Sequence, residues 1–287
     1  MTAITSPPAT PQSPALRRHL ALALAAGLFG ALPLIAAPVA AQTNRSVNLD
    51  VPFVPTPDDV VERMLDMAQV GNQDYVIDLG SGDGRIAIAA VKDRGAKGAM
   101  GVDIDPARIA EATNNAKMAG VSDAVEFRQQ NLFETDLSQA SVITMYLLQR
   151  INLKLRPTLL ELRPGTRIVS HAFSMDDWKP DAEANVDGRN VYFWIVPAKV
   201  DGNWKVQNPG GDFTVDLTQE FQKIAGTATV DGKSVPLSDP KLQGDRIEFG
   251  VETAPGKILR YVGRVTGGSI EPLPESQRAG DWRATRG

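Results

Sequence analysis

The 287-residue chain contains no cysteine. Disulfides and thiolate-bound metals are thereby excluded, and an oxidising compartment would do the chain no harm. Histidine is scarce as well, with only His19 and His171. A metal site built from several histidines cannot be assembled from these. Nor is there an excess of positive charge: the formal net charge is −4 at pH 7. An acidic balance argues against a broad nucleic-acid surface. No internal repeat organises the chain.

What is present begins with an export pattern. Residues 1–16 are rich in Pro, Ser and Thr and carry no core-forming pattern. Arg17-Arg18 then precede an uncharged run over 20–37, and the small residues Val39-Ala40-Ala41 lead into Gln42. A basic stretch, an apolar stretch and a small-residue cleavage site predict a signal peptide over 1–41 and a periplasmic or secreted protein. The alternative is a retained membrane anchor, because the run is nearly long enough to span. Pro33 and Pro38 favour cleavage. Loss of this segment takes the net charge from −4 to −6 and leaves His171 as the sole histidine.

The chemistry centres on residues 75–85, YVIDLGSGDGR. The apolar, β-branched start reads as a buried parallel strand. Gly80, Gly82 and Gly84 then alternate through a turn, and the alanine-rich run from Arg85 suits a helix. Glycine permits positive φ in such a turn and, lacking Cβ, lets a ligand approach the backbone. The helix that follows presents unpaired N–H groups. The dinucleotide fingerprint is not met, since Arg85 stands where its third glycine belongs. A second strand over 98–103 ends in Asp103, 23 positions after Gly80. That is near the offset at which a carboxylate reaches ribose hydroxyls.

Further elements follow from local signals. In Thr56-Pro57-Asp58-Asp59, Thr56 can N-cap a helix and Pro57 can open it, with two acids at its positive end. Gly71 ends that helix. Phe53, Pro55 and Thr56 either line a cleft beside it or staple its start. Asp105-Pro106 opens the next helix and Gly120 closes it. Residues 125–128 form a third strand, followed by Asn131-Leu132-Phe133. Residues 142–148 form a fourth, a helix spans 150–162, and 168–171 form a fifth. Tyr146, at a strand's carboxyl end, either faces an incoming amine or packs in the core. His171 is either a general base or, as favoured here, a structural residue.

The order acid-x-Gly-x-Gly-x-Gly at Asp78, Gly80, Gly82 and Gly84 resembles motif I of class I S-adenosylmethionine (SAM)-dependent methyltransferases. Together with PFVPTP over 52–57 and FSMDDWKPD over 173–181, it is similar to a narrower group. That group comprises the mitochondrial lysine methyltransferases of the ATP synthase c-subunit and the adenine nucleotide translocase, with their prokaryotic relatives. The resemblance covers about residues 51–181. It implies a Rossmann-like α/β sheet with helices on both faces and SAM as cofactor. It implies a cofactor site drawn from Thr56, Asp78, Gly80, Ser81, Gly82, Gly84, Asp103, Ile104, Asn131 and Leu132. Asn131, or a backbone group beside it, would bond the adenine amino group, and Tyr146 would stand at the methyl acceptor. No metal is implied. Residues 145–148 are not Asn/Asp-Pro-Pro-Tyr, which points away from adenine or glutamine acceptors.

Residues 176–190 read as loop. A hairpin of 191–198 with 204–206, turning at Asp201-Gly202, is expected to complete the sheet. Short alternating segments beyond Gly211 predict a small antiparallel β-rich domain. The expected map is a signal peptide at 1–41, an extended leader at 42–55, a methyltransferase domain at 56–207, a β-rich domain at 208–275 and an irregular tail at 276–287. The expected reaction is N-methylation of a protein lysine. The alternatives are a small-molecule N- or O-methyltransferase and a non-catalytic exported module of the same fold. The partner is a protein or small-molecule acceptor. No nucleic acid is expected, and membrane contact comes only through an uncleaved leader.

Overall fold

The computed structural model describes residues 53–276 and 281–287. The expected signal peptide, its cleavage point and the anchor alternative lie outside the described residues.

Helix α1 (Asp58–Met67) opens the first layer, with Asp58 and Asp59 in its first turn and Val60, Val61, Met64 and Leu65 buried. Thr56 does not cap it. Pro57 occupies the flanking position without a side-chain cap, and the Thr56 hydroxyl is instead 3.2 Å from His171 Nδ1. Strand β1 (Tyr75–Leu79), helix α2 (Arg85–Lys92) and strand β2 (Gly98–Asp103) follow. Helix α3 (Pro106–Ala119) starts where expected: the Asp105 side chain accepts from the Ala107 N–H, Pro106 fills the first position, and left-handed Gly120 ends the helix. Strand β3 (Val125–Gln129), strand β4 (Val142–Met145), helix α4 (Gln149–Leu160) and strand β5 (Arg167–His171) complete the parallel part.

Two more strands, β6 (Ala182–Val186) and β7 (Arg189–Ile195), close this sheet in the order β3-β2-β1-β4-β5-β7-β6. β7 runs antiparallel to both of its neighbours. The expectation of a loop over 176–190 is therefore corrected. The hairpin turns at Asp187-Gly188, both at positive φ (47° and 83°), the pairing that a tight two-residue turn requires. α1 and α2 pack on one face of the sheet. α4, through Ile151, Leu155 and Leu159, packs on the other.

The expected 191–198/204–206 hairpin does not form. Strand β8 (Gly202–Gln207) pairs instead with β9 (Phe213–Glu220) and with the C-terminal strand. The first sheet thus ends at Ile195, short of the expected boundary at 207. Beyond β9 run β10 (Lys223–Val230), β11 (Lys233–Pro236), β12 (Ser238–Gln243), β13 (Arg246–Ala254), β14 (Lys257–Thr266), β15 (Ser269–Pro272) and β16 (Arg283–Arg286). They form one nine-stranded antiparallel sheet, β11-β10-β9-β8-β16-β15-β14-β13-β12. Its two ends are consecutive in the chain, and the Leu237 N–H bonds the Gly226 carbonyl, so the sheet curls into a barrel. The expected irregular tail is corrected as well: β16 sits between β8 and β15. The barrel interior is filled by Trp204, Phe213, Phe249, Tyr261 and Trp282 with aliphatic neighbours.

Candidate active site

A parallel sheet whose order reverses at β1 and β4 opens a crevice at the carboxyl ends of those strands. A cleft of about 1030 Å³, open mouth included, lies at this end. It is lined by Thr56, Asp78, Gly80, Ser81, Asp103, Ile104, Asn131, Leu132 and Tyr146. Gly82 and Gly84 do not line it.

The glycine turn is built differently from the expectation. All three glycines have positive φ, which a side chain tolerates poorly. Their bare positions face the protein itself. A Cβ on Gly82 would stand 2.3 Å from the Phe53 ring, and one on Gly84 would stand 2.4 Å from Phe127. The turn's N–H groups are also spent internally. Those of Gly80 and Ser81 both donate to the Val102 carbonyl, and that of Gly84 donates to Ser81. The Gly82 N–H donates to Asp103 Oδ2 at 2.9 Å.

Asp103 is held by that bond and by the Asp105 N–H on its other oxygen at 3.0 Å. A carboxylate retains further acceptor capacity after two such bonds. Asp78 is 1 % exposed. Its Oδ1 accepts from the Thr144 hydroxyl at 2.7 Å, and its Oδ2 has no partner. Burial pushes this carboxyl up to about 7; the Thr144 hydroxyl opposes the shift, and the charges of Asp103 and Asp83 add to it. The Ser81 hydroxyl is likewise buried without a partner. Asn131 is partly occupied: its Oδ1 accepts from the Phe133 N–H at 3.1 Å and its Nδ2 donates to Glu134 at 3.0 Å.

The segment before α1 roofs the turn. Arg85 donates to Asp83 at 2.6 Å and to the Thr56 carbonyl at 2.9 Å. The Arg108 guanidinium lies 4.7 Å from the centre of the Phe53 ring. Phe53 itself was suggested by the sequence. Arg108 was not, although its place three residues beyond the Asp105 cap sets it on the helix face above the turn.

At the β4 and β5 ends, the Tyr146 and His171 rings pack against each other, tilted by 33°, with centroids 3.9 Å apart. His171 is 2 % exposed. Burial, joined by the Arg189 charge and opposed by Asp59, lowers its pKa to about 4. The lowered value keeps the imidazole uncharged at neutral pH, packed against the Tyr146 ring.

With this geometry in place, kinship becomes informative. Residues 78–182 match the model of the ANTKMT methyltransferase domain. A protein-lysine N-methyltransferase of Saccharolobus islandicus is 46 % identical over 151 residues, 51 % of this chain and 94 % of that protein. The adenine nucleotide translocase lysine N-methyltransferase of Mus musculus is 33 % identical over 151 residues, 52 % of this chain but only 65 % of its own length. Among solved structures, an RNA methyltransferase of Salinibacter ruber in complex with S-adenosyl-L-homocysteine is 52 % identical, with a TM-score of 0.50. That alignment covers 51 % of this chain and 96 % of the other. The chain is a SAM-dependent methyltransferase and belongs to the family of the ANTKMT methyltransferase domain.

Proposed function

We propose that the chain methylates the side-chain amine of a protein lysine. When bound, SAM would supply a sulfonium methyl carbon open to attack by the lone pair of an uncharged amine, with the neutral thioether as leaving group and the amine's proton lost to solvent. The residues of the cleft fit such a ligand. Asp78 Oδ2 and Ser81 Oγ are buried acceptors without partners, and a buried polar atom left unpaired costs free energy. An ammonium group against Asp78 completes its hydrogen bonding and keeps the carboxyl ionised. The remaining acceptor capacity of Asp103 suits a vicinal diol. Ile104 and Leu132 offer apolar walls for a nucleobase, with Asn131 at its edge. Tyr146 presents an aromatic surface to the acceptor, backed by the uncharged His171.

The observation that carries the choice of acceptor is charge. Residues 56–197 hold 15 basic and 21 acidic side chains. A negative surface attracts a lysine-bearing partner and repels phosphates. Kinship supports the same acceptor, since the archaeal relative matched over 94 % of its length is named for protein lysine. An RNA acceptor is the second reading, favoured by the name of the Salinibacter protein. Incubation with methyl-labelled SAM, poly-L-lysine and bulk transfer RNA separates the two. Label on lysine is expected. Label on RNA with none on lysine overturns the proposal. The export pattern at 17–41 extends the proposal to a protein outside the cytoplasm. A mature chain beginning at Gln42 in the extracytoplasmic fraction is expected, and a full-length chain retained in the cytoplasm refutes it.

A further inference from the structure

Phe221 breaks a local rule. β9 and β10 are joined by Phe221 and Gln222 alone, and Phe221 has φ of 55°. The first position of such a two-residue turn favours glycine when φ is positive. A bulky residue there is strained. Within the hairpin only the Gln219 side chain, donating to the Phe221 carbonyl at 2.7 Å, supports the turn, and it does not involve the ring.

The gain lies across the domain junction. The Phe221 ring stacks on Trp178, centroids 6.0 Å apart and planes 17° from parallel. Arg156 of α4 lies 5.5 Å from the ring's centre, and it also donates to the Met175 carbonyl at 2.9 Å. Gln222 donates to the Lys179 carbonyl at 2.7 Å. Both turn residues of the barrel hairpin are therefore spent on the segment 173–181, which leaves β5 beside the cleft.

That segment begins next to Tyr146. Phe173 stacks alongside it at 6.4 Å. Its carbonyl accepts from Ser170 Oγ at 2.7 Å and from Asn152 Nδ2 at 3.0 Å, across a turn in which Ala172 has φ of 64°. The start of the segment is clamped by the methyltransferase domain, and its middle is gripped from two sides: Trp194 Nε1 of β7 donates to the Trp178 carbonyl at 2.8 Å, and the barrel adds the Phe221 ring and Gln222.

We propose that Phe221 is a positioning residue for methyl transfer: through Trp178 the barrel holds 173–181 so that Phe173 stands beside Tyr146 at the acceptor end of the cleft. The barrel is thus a working part of the acceptor site. This inference rests on the lysine reading above, and its test has an arm that does not.

The full-length chain carrying Phe221→Gly keeps a turn residue suited to positive φ and loses only the ring. Hydrogen exchange at the Trp178 and Asp181 amides is expected to quicken about tenfold or more, with the β9–β10 amides unchanged. With poly-L-lysine as acceptor, kcat/KM should fall by about tenfold, mostly through KM, while the Kd for SAM stays within about twofold. Phe221→Tyr should restore both. Gln222→Ala should act in the same direction more weakly. Unchanged exchange at 173–181 overturns the inference. So does a fall in SAM affinity that matches the fall in transfer, because the effect is then general unfolding. A wild-type chain inert toward poly-L-lysine defeats the lysine reading alone. The inference is then decided by exchange, faster supporting it and unchanged refuting it.

Discussion

The two sheets treat buried polarity in opposite ways. In the barrel, polar groups find partners inside. Ser276 accepts from the Val262 N–H at 2.8 Å and from Trp282 Nε1 at 3.2 Å. In the methyltransferase sheet, partners are missing. Of the seven buried side-chain atoms without a partner among the described residues, six lie there and two, on Asp78 and Ser81, line the cleft. Charge follows the same division: 15 basic against 21 acidic residues over 56–197, and 12 against 12 over 198–287. A region that binds something else keeps acceptors open and carries a net field. A region that binds its own sequence closes them.

Trp282→Ala is the most severe way to break this contrast. Trp282 is 1 % exposed and packs edge-on against Tyr261 at 5.2 Å. Its loss should cost the barrel about 3–5 kcal/mol. Calorimetry should show the barrel melting earlier while SAM binding survives at low temperature. Simultaneous loss of binding would mean the two sheets fold as one unit.

Asp103→Ala acts on the open side of the contrast. SAM affinity should weaken by about 1–3 kcal/mol, the scale for hydrogen bonds to a charged group. Titration calorimetry reads this directly, and an unchanged Kd removes Asp103 from the site.

A smaller effect concerns pH. Asp78 titrates at about 7 in the folded chain against an ordinary 3.8. Its folded value is raised, so its contribution to stability in the absence of cofactor is full below the ordinary value and is lost as pH rises through 7. The proposed ammonium contact needs the carboxylate. SAM affinity should therefore climb by up to about tenfold per pH unit below 7 and level off above it. Asp78→Asn should flatten the profile, and a slope that persists in the variant would assign the titration elsewhere.

The smallest change sharpens the contrast. The Tyr261 hydroxyl is the barrel's single fully buried side-chain polar atom without a partner among the described residues, and burial pushes it up to about 12. Tyr261→Phe should leave stability unchanged or raise it by about 1 kcal/mol, because it removes an unpaired group. A loss of that size in denaturant unfolding would reveal a partner for the hydroxyl.

Much of the site was legible because its signals are local. A β-branched run, alternating glycines, an acid-ended strand and the Asp105-Pro106 helix start each express a preference a few residues wide. The completion of the first sheet was not. Asp187-Gly188 and Asp201-Gly202 are the same dipeptide, and only the first makes the hairpin turn. The second leads into β8, which starts at Gly202 and whose Trp204 and Val206 are buried in the barrel. β16 shows a single buried residue, Ala284, so its place between two strands could not be read from alternation. The clamp of Asn152 and Ser170 on Phe173 joins residues up to 21 apart.

From its residues alone the chain determined a SAM-type strand, turn and helix, the acid on the next strand and an antiparallel appendage, because backbone preference and side-chain period act within a few positions. The tertiary structure alone decided that the glycines make room for Leu147, Phe53 and Phe127. It also decided that β8 joins the barrel and that a strained Phe221 reaches Trp178. These are contacts between distant segments, and their free energy exists only once the two surfaces meet.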